Sequence, residues 1–219
     1  DVTKVFAKSG TVTVPNKDLT PEYSYNAELT ISKKWNKGSY FSGTAFYTIL
    51  QDAIVKDVFS LNGQDSLWYD GEYLQIVTNQ NMQEAFVWGC HLKIHAVLND
   101  FWTTTNSFNY TFGQDSDGNY MDHIPPMYGK SEVSWQNDKH VLQAFVLYNG
   151  WKHLETYSPN GSDNPQEATI DGTPSWWTLN LTHQYRLNEM LLVQVGLENI
   201  LDAHYKTYSS GISAPGRNL

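Results

Sequence analysis

The sequence predicts an all-β chain: an antiparallel transmembrane β-barrel segment of about eight strands, part of a larger barrel. Three observations carry this expectation. Apolar and polar residues alternate with period two over long segments, and short turns alternate with long polar loops between those segments. Aromatic residues make up 14% of the 219 residues, as 8 Trp, 14 Tyr and 9 Phe. Successive side chains point to opposite faces only in a strand, and membrane barrels carry aromatic girdles at both interfaces.

The first strand runs from Glu22 to Lys34, with Tyr23, Tyr25, Ala27, Leu29 and Ile31 on one face and Ser24, Asn26, Glu28, Thr30 and Ser32 on the other. A turn at Asn36-Lys37-Gly38 leads into a second, Tyr40 to Val55. The third places Phe86, Trp88, Cys90, Leu92 and Ile94 opposite Val87, Gly89, His91, Lys93 and His95. After Asn99-Asp100, Trp102, Phe108, Tyr110 and Phe112 oppose Thr103, Thr105, Ser107 and Asn109. Met127, Val133 and Trp135 oppose Tyr128, Lys130, Glu132 and Ser134, and Asn137-Asp138-Lys139 turns the chain into Val141 to Trp151. The last pair is Trp176 to Arg186 and Leu191 to Glu198, joined at Asn188-Glu189. Long polar loops fill 56–72, 114–126, 152–175 and 199–216. Short turns at one end and long loops at the other are the organisation of bacterial outer-membrane barrels, periplasmic and extracellular respectively. A soluble, aromatic-rich β-sandwich that binds carbohydrate is the other reading these residues leave open, although sandwich strands are usually shorter.

Charge and cysteine content narrow the function classes. Lys plus Arg number 14 against 23 Asp plus Glu, a formal net charge of −9, which opposes nucleic-acid binding because phosphate contacts need clustered cations. The single Cys90 excludes an internal disulfide and a cysteine-built zinc site. No run of about 18 apolar residues marks a transmembrane helix, which says nothing against strands that alternate.

Pro15 to Glu22, Asn79 to Gly89 and Glu198 to Asn218, in this order, resemble stretches of the TonB-dependent receptors, particularly those of Bacteroidetes-type bacteria. Pro15-Asn16, Leu19 and Pro21-Glu22 look like the family's lead-in to a barrel strand. Asn79, Asn81, Ala85 and Gly89 are similar to a strand midway through this half. Glu198-Asn199-Ile200-Leu201-Asp202, then Gly211 and Gly216-Arg217-Asn218, look like the penultimate strand, the last extracellular loop and the start of the closing strand. The resemblance implies that residues 1–219 are the C-terminal part of such a barrel, about eight of roughly 22 strands, with the plug domain and the closing strand absent. It implies a bacterial outer-membrane location and uptake of a scarce nutrient, such as a ferric siderophore, haem, cobalamin or an oligosaccharide. The implied partners are the plug and other strands of the same receptor, TonB through the absent N-terminal part, outer-membrane lipid or lipopolysaccharide, and the nutrient.

Chemistry-bearing motifs point to binding, not catalysis, and no cofactor or enzyme activity is expected. His91 and His95 would share a metal on a helix, but on a strand they stand about 13 Å apart. Asp115-Ser-Asp117-Gly opens like a calcium loop, yet its twelfth position is Pro126 instead of Glu, so a turn is expected. No nucleophile elbow or phosphate-cradling glycine loop occurs. Candidate ligand contacts are the aromatic and imidazole side chains in or beside the long loops: Trp68, Tyr69, Tyr120, His123, Trp151, His153 and Tyr205.

Overall fold

A computed structural model describes residues 6–8, 11–35, 38–81, 84–159 and 163–219. In chain order its strands are β1 (Phe6–Lys8), β2 (Thr11–Val14), β3 (Tyr23–Lys34), β4 (Tyr40–Gln51), β5 (Ile54–Val58), β6 (Ser66–Tyr69) and β7 (Glu72–Asn81). There follow β8 (Glu84–Val97), β9 (Trp102–Asp115), β10 (Tyr128–Gln136), β11 (His140–Asn149), β12 (Lys152–His153), β13 (Gly172–Thr173), β14 (Trp176–Arg186) and β15 (Leu192–Leu197). Eight of them, the eight that the alternation predicts, form one sheet in the order β15-β14-β11-β10-β9-β8-β4-β3. Neighbours in sequence are neighbours in the sheet, with the long excursion 152–175 between β11 and β14 still ending on an adjacent strand.

Four short connections close the hairpins at one end, and the described ones share one device. Asn99 Oδ1 accepts from the Phe101 and Trp102 amides, Asn137 Oδ1 from Lys139 and His140, and Asn188 Oδ1 from Met190 and Leu191. In each turn an Asn side chain stands in for a backbone carbonyl, which is why Asn leads such turns. The fourth turn closes through Trp35 N–H to the Ser39 carbonyl; Asn36 and Lys37 lie outside the described residues.

Register then assigns the faces. His140 pairs Tyr185, Tyr148 pairs Trp177, Gly129 pairs Tyr148, and Trp102 pairs Trp135, so these all share one face. On β8 the polar face is fixed by hydrogen bonds from His91 to Asn109 and from His95 to the Thr105 hydroxyl (2.9 Å). His91, Lys93 and His95 therefore lie on the polar side, and Leu92 and Ile94 on the apolar side. Lys130 extends over the Phe145 ring at 4.2 Å and reaches Glu132 at 2.6 Å, and Gln143 bridges Glu132 to Thr182 on the same polar face.

On the apolar face the aromatics fall into two belts. Trp102, Trp135, His140 and Tyr185 lie near the short turns, with His140 stacked on Tyr185 at 4.7 Å and on His183 at 5.2 Å. Tyr110, Tyr148 and Trp177 lie near the long loops, with Tyr110 and Phe112 each 5.6 Å from Trp88. Trp102 to Tyr110, His140 to Tyr148 and Trp177 to Tyr185 are each eight residues, about 27 Å along a strand. At the usual barrel tilt that is roughly 21 Å of height, close to the apolar band of an outer-membrane protein. Thr104 and Asn106 interrupt the band, and they satisfy themselves: Asn106 donates to the Thr104 hydroxyl (3.1 Å), which donates to the Glu132 carbonyl (2.8 Å).

The chain divides into two compact units, one comprising 1–26, 48–87 and 113–119, the other 27–47, 88–112 and 120–219. The first departs from the sequence expectation. Tyr40 to Val55 does not run as a single strand: β4 stops at Gln51, and Asp52 has φ 55°, which turns the chain. Nor is 56–72 an irregular loop. There, β1-β2-β7-β5, with β6 also on β7, form a second sheet, in which β2 runs parallel to β7. Val12, Val14, Leu74 and Ile76 form its buried core, with Phe59 and Leu67 packed against them.

Residues that carried the family resemblance stitch this unit together. Asn16 donates to the Asn79 carbonyl (2.8 Å), Asn81 exchanges hydrogen bonds with Thr20 and donates to the Asp52 carbonyl, and Glu22 accepts from the Ile54 amide (3.0 Å).

Two predictions follow from the faces and the turns. Leu92→Arg puts a charge on the lipid side and is expected to destabilise the complete receptor by about 2–4 kcal/mol if the site lies near the midplane. Lys93→Glu, on the polar side, should leave the heat-modifiable folded band unchanged on gels. Equal losses of that band in the two variants would contradict the face assignment. Asn137→Ala removes the one side-chain oxygen that accepts both turn amides and should cost about 1–2 kcal/mol, with Asn137→Asp retaining most of the stability in a urea titration.

Candidate functional site

The loop end of the second unit is built around a carboxylate. Asp163 is fully buried. Its Oδ1 accepts from the His123 amide at 2.8 Å and its Oδ2 from the Ser158 amide at 3.3 Å, joining loop 114–126 to loop 152–175. His123 has φ 61°, a left-handed conformation that turns its amide toward Asp163, while its ring stays largely exposed 3.5 Å from the same carboxylate.

Lys152, itself 6% exposed, donates to the Ile124 carbonyl at 2.9 Å and lies 5.2 Å over the Tyr208 ring. Burial lowers the Lys152 pKa, and the nearby Asp163 charge opposes that fall. The ammonium therefore costs folding stability at neutral pH, a cost relieved only as pH rises through the lowered pKa toward the ordinary lysine value.

Tyr208 brings in the third loop, 199–216. Its hydroxyl is buried beside Asp163 with no hydrogen-bond partner of normal geometry among the described residues. Burial first, and then the Asp163 carboxylate, push its pKa far above the ordinary tyrosine value, so the phenol stays neutral. Tyr157 packs edge-on to Tyr208 at 5.3 Å and shares a 2.6 Å hydrogen bond with Thr173. Asn164 donates to the Ser209 carbonyl (2.9 Å), and Lys206 pairs with Glu167 at 3.2 Å.

Loop 199–216 folds on the residues of the last resemblance stretch. Asn199, 3% exposed with φ 47°, receives the Ala203 amide and donates to the Ala203 and Pro215 carbonyls, while Asn180 accepts from its own amide. Asp202 accepts from the Arg217 amide at 2.8 Å, and a Cβ on Gly216 would stand 2.7 Å from Asp202 Oδ1, so a side chain there would have to displace that carboxylate. Glu198 and Asn218 exchange both backbone hydrogen bonds, which brings Asn218 alongside the end of β15.

The seven residues singled out by sequence divide between the two units. Trp68 and Tyr69 lie on β6 of the first unit, where Trp68 is 61% exposed and packs edge-on to Tyr73 at 4.9 Å. In the second unit Trp151 and His153 stack at 5.7 Å, with the Trp151 indole N–H donated to the Asp171 carbonyl at 3.0 Å. Tyr205 stacks on Trp176 at 4.1 Å and Tyr120 meets Phe112 edge-on at 5.8 Å, so both serve packing. Asp115 is spent on its own turn, accepting from the amides of Asp117 and Asn119 and from the Asn119 side chain.

Sequence reading missed Asp163, Lys152, Tyr157 and Tyr208. Their partners are far apart in the chain, and no local spacing announces them.

Asp163→Ala removes an acceptor shared by two backbone amides in a buried site, a loss of about 1.5–3 kcal/mol per charge-assisted bond. Hydrogen exchange at 152–158 and 205–209 of the complete receptor should accelerate, with the β9–β11 ladder unchanged. Unaltered exchange in those loops would show that Asp163 does not hold them.

Residues 5–200 match the family model described as TonB dependent receptor-like, beta-barrel. The chain is 21% identical over 213 residues to an iron-regulated outer membrane virulence protein of Vibrio cholerae, covering 92% of this chain and 30% of that protein. Among solved structures it superposes on the copper transporter OprC with TM-score 0.75 at 15% identity, covering 92% of this chain and 31% of OprC. A ferric enterobactin receptor variant from Pseudomonas aeruginosa gives TM-score 0.70 at 22% identity, with 94% of this chain and 31% of that one covered. The siderophore receptor PirA from Acinetobacter baumannii gives 0.70 at 20% identity, covering 94% and 32%. These likenesses establish the fold, and the chain spans about a third of the length of the relatives it matches. The soluble sandwich gives way to a membrane wall, and the family consists of transporters, not enzymes. With its two aromatic belts and sorted faces, this chain is β-barrel wall of the bacterial outer membrane, and it belongs to the TonB-dependent receptor-like β-barrel family.

Proposed function

We propose that the chain forms part of the wall and of the extracellular capture surface of a receptor for energy-coupled uptake of a scarce nutrient. The nutrient is a ferric siderophore, haem, cobalamin or an oligosaccharide, and a ferric siderophore is the first to test. The observation that carries the reading is the division of labour between the ends of the sheet: Asn-led turns at one end, interlocked and folded loops at the other. Relatives described as iron-regulated and as siderophore receptors favour iron among the candidates.

In this reading the polar face, with His91, Lys93, His95, Lys130, Glu132 and Gln143, packs against the plug of the same receptor. Strands from the remainder of the receptor pair with the outer edges of β3 and β15, because an open edge in lipid leaves backbone groups unsatisfied. TonB pulls on a segment outside this chain. The exposed candidates for contact with the nutrient are Trp68 and Tyr69 in the first unit and His123, Trp151 and His153 in the second, where Tyr120 and Tyr205 pack on Phe112 and Trp176. Uptake is binding and displacement, so no covalent step is assigned to any residue.

The test uses the complete receptor in cells. Its deletion should abolish ferric-siderophore uptake under iron limitation, as should removal of TonB, and small-molecule mass spectrometry of receptor from native membranes should find the bound nutrient. Wild-type uptake of all four nutrient classes in the deletion strain would sink the proposal. Orientation is checked separately. A cysteine at Asp117 should react with an impermeant reagent on intact cells and one at Asp138 should not; the reverse pattern would invert the wall.

A further inference from the structure

We propose that His140 and His183 form a binding site for a cuprous ion on the outer side of the wall, at the belt nearer the short turns. The inference rests on the register of the sheet and holds whatever nutrient the receptor carries.

The two histidines stand 43 residues apart in the chain, and the ladder between β11 and β14 brings them together. His140 pairs Tyr185 and His183 pairs Leu142, so the imidazoles are diagonal neighbours on one face. Their rings are parallel within 6°, with centres 5.2 Å apart, and His140 Nδ1 faces His183 Nε2 at 3.0 Å. In a neutral pair at that separation one nitrogen donates a hydrogen and the other accepts it. Each nitrogen is thus aimed at the other, with a single hydrogen between them.

A metal ion can take the place of that hydrogen. The bridging hydrogen moves to the outer nitrogen of the ring that carried it, and both imidazoles stay neutral. Each then offers a lone pair to the ion from opposite sides, and no proton is released or taken up. Two metal–nitrogen bonds of about 2 Å laid end to end need about 4 Å between the nitrogens, an opening of about 1 Å. Side-chain torsions of two half-buried histidines supply it. His140 is already stacked on Tyr185 at 4.7 Å, with Trp135 at 6.5 Å, so much of the cost of ordering the ligands is met before the ion arrives.

The surroundings choose the ion. Among the described residues no group of three or more histidine, cysteine or carboxylate ligands forms. Register surrounds the pair with Trp135, Leu142, Tyr185, Val193 and Val195 instead. Zinc and cupric ions take about four donors, so here they would have to keep water in the remaining positions against an apolar surface. A cuprous ion is satisfied by two donors in line and carries a single charge, and imidazole suits copper.

The experiment is native mass spectrometry of the complete receptor in detergent, with cuprous ion supplied under ascorbate, or with zinc. A Cys90→Ser parent removes the only thiol of this chain, which would itself bind a soft ion. The parent should hold a single cuprous ion more than its His140→Ala or His183→Ala variant. It should hold the same number as His204→Ala, which alters a loop histidine bonded to Ser213. Zinc should show no such difference, and heat-modifiable mobility confirms that each variant is folded. A second measurement leaves the pair intact: silver ion, a redox-stable stand-in for the cuprous ion, should protect His140 and His183 of the parent from carbethoxylation by diethylpyrocarbonate. Equal cuprous counts in the parent and in both histidine-pair variants would overturn the proposal, as would undiminished carbethoxylation of the pair under silver. A zinc count that falls with these variants as the cuprous count does would overturn the choice of ion.

Discussion

Everything in this chain depends on the need to pair backbone N–H and C=O groups where no water can reach them. Inside a bilayer an unpaired group costs several kcal/mol, so the strands from β3 to β15 must run as an unbroken antiparallel ladder. Once that ladder exists, its register has no freedom. A slip of one residue would carry Lys130 and Glu132 to the lipid side and bring Val133 and Trp135 to the polar side. The short turns serve this constraint. Asn99, Asn137 and Asn188 each satisfy two turn amides from a side chain, so each hairpin reverses in the fewest residues and returns in register.

The aromatic belts follow from the same geometry. Eight residues separate the belts on β9, β11 and β14 alike, because each of these strands crosses a slab of one thickness. Aromatic residues sit where an apolar body meets a wet end. Tyr148 shows the arrangement at one position, its ring covering Gly129 and its hydroxyl closing on the Ser107 carbonyl. The polar interruptions at Thr104 and Asn106 do not breach the rule, since each finds a partner on the wall itself.

Each of the two units solves the problem of order in its own way. The first builds an apolar core, Val12, Val14, Leu74 and Ile76, between strands that meet from distant parts of the chain. The second unit's loops have few buried apolar side chains and rely on buried polar groups, with Asp163 between two backbone amides and Lys152 and Tyr208 closed over it. Such a knot is demanding, because a buried polar group left unmatched, as the Tyr208 hydroxyl is among the described residues, costs stability. In return it fixes the loop surface that carries Trp151 and His153.

The existence and order of the eight wall strands, their faces and the described turns at Asn99, Asn137 and Asn188 were legible in the sequence because each is set by neighbours two residues apart or by one turn. The period-two rule put Leu92 and Lys93 on opposite faces with no knowledge of what either touches. What sequence reasoning could not reach was decided by contacts between distant residues. β2 pairs in parallel with β7 across some sixty residues, so 56–72 read as a polar loop while in fact it carries strands on a shared core. The buried role of Asp163 arises from amides at His123 and Ser158 and from a tyrosine at 208, none of which marks it in the local sequence. The aromatic candidates were recognisable by type, but only the folded loops separate exposed Trp68 and Trp151 from Tyr205, which is spent on Trp176. Periodicity is a local property written in the chain; proximity between remote segments comes into being only when the ladder and its loops have closed.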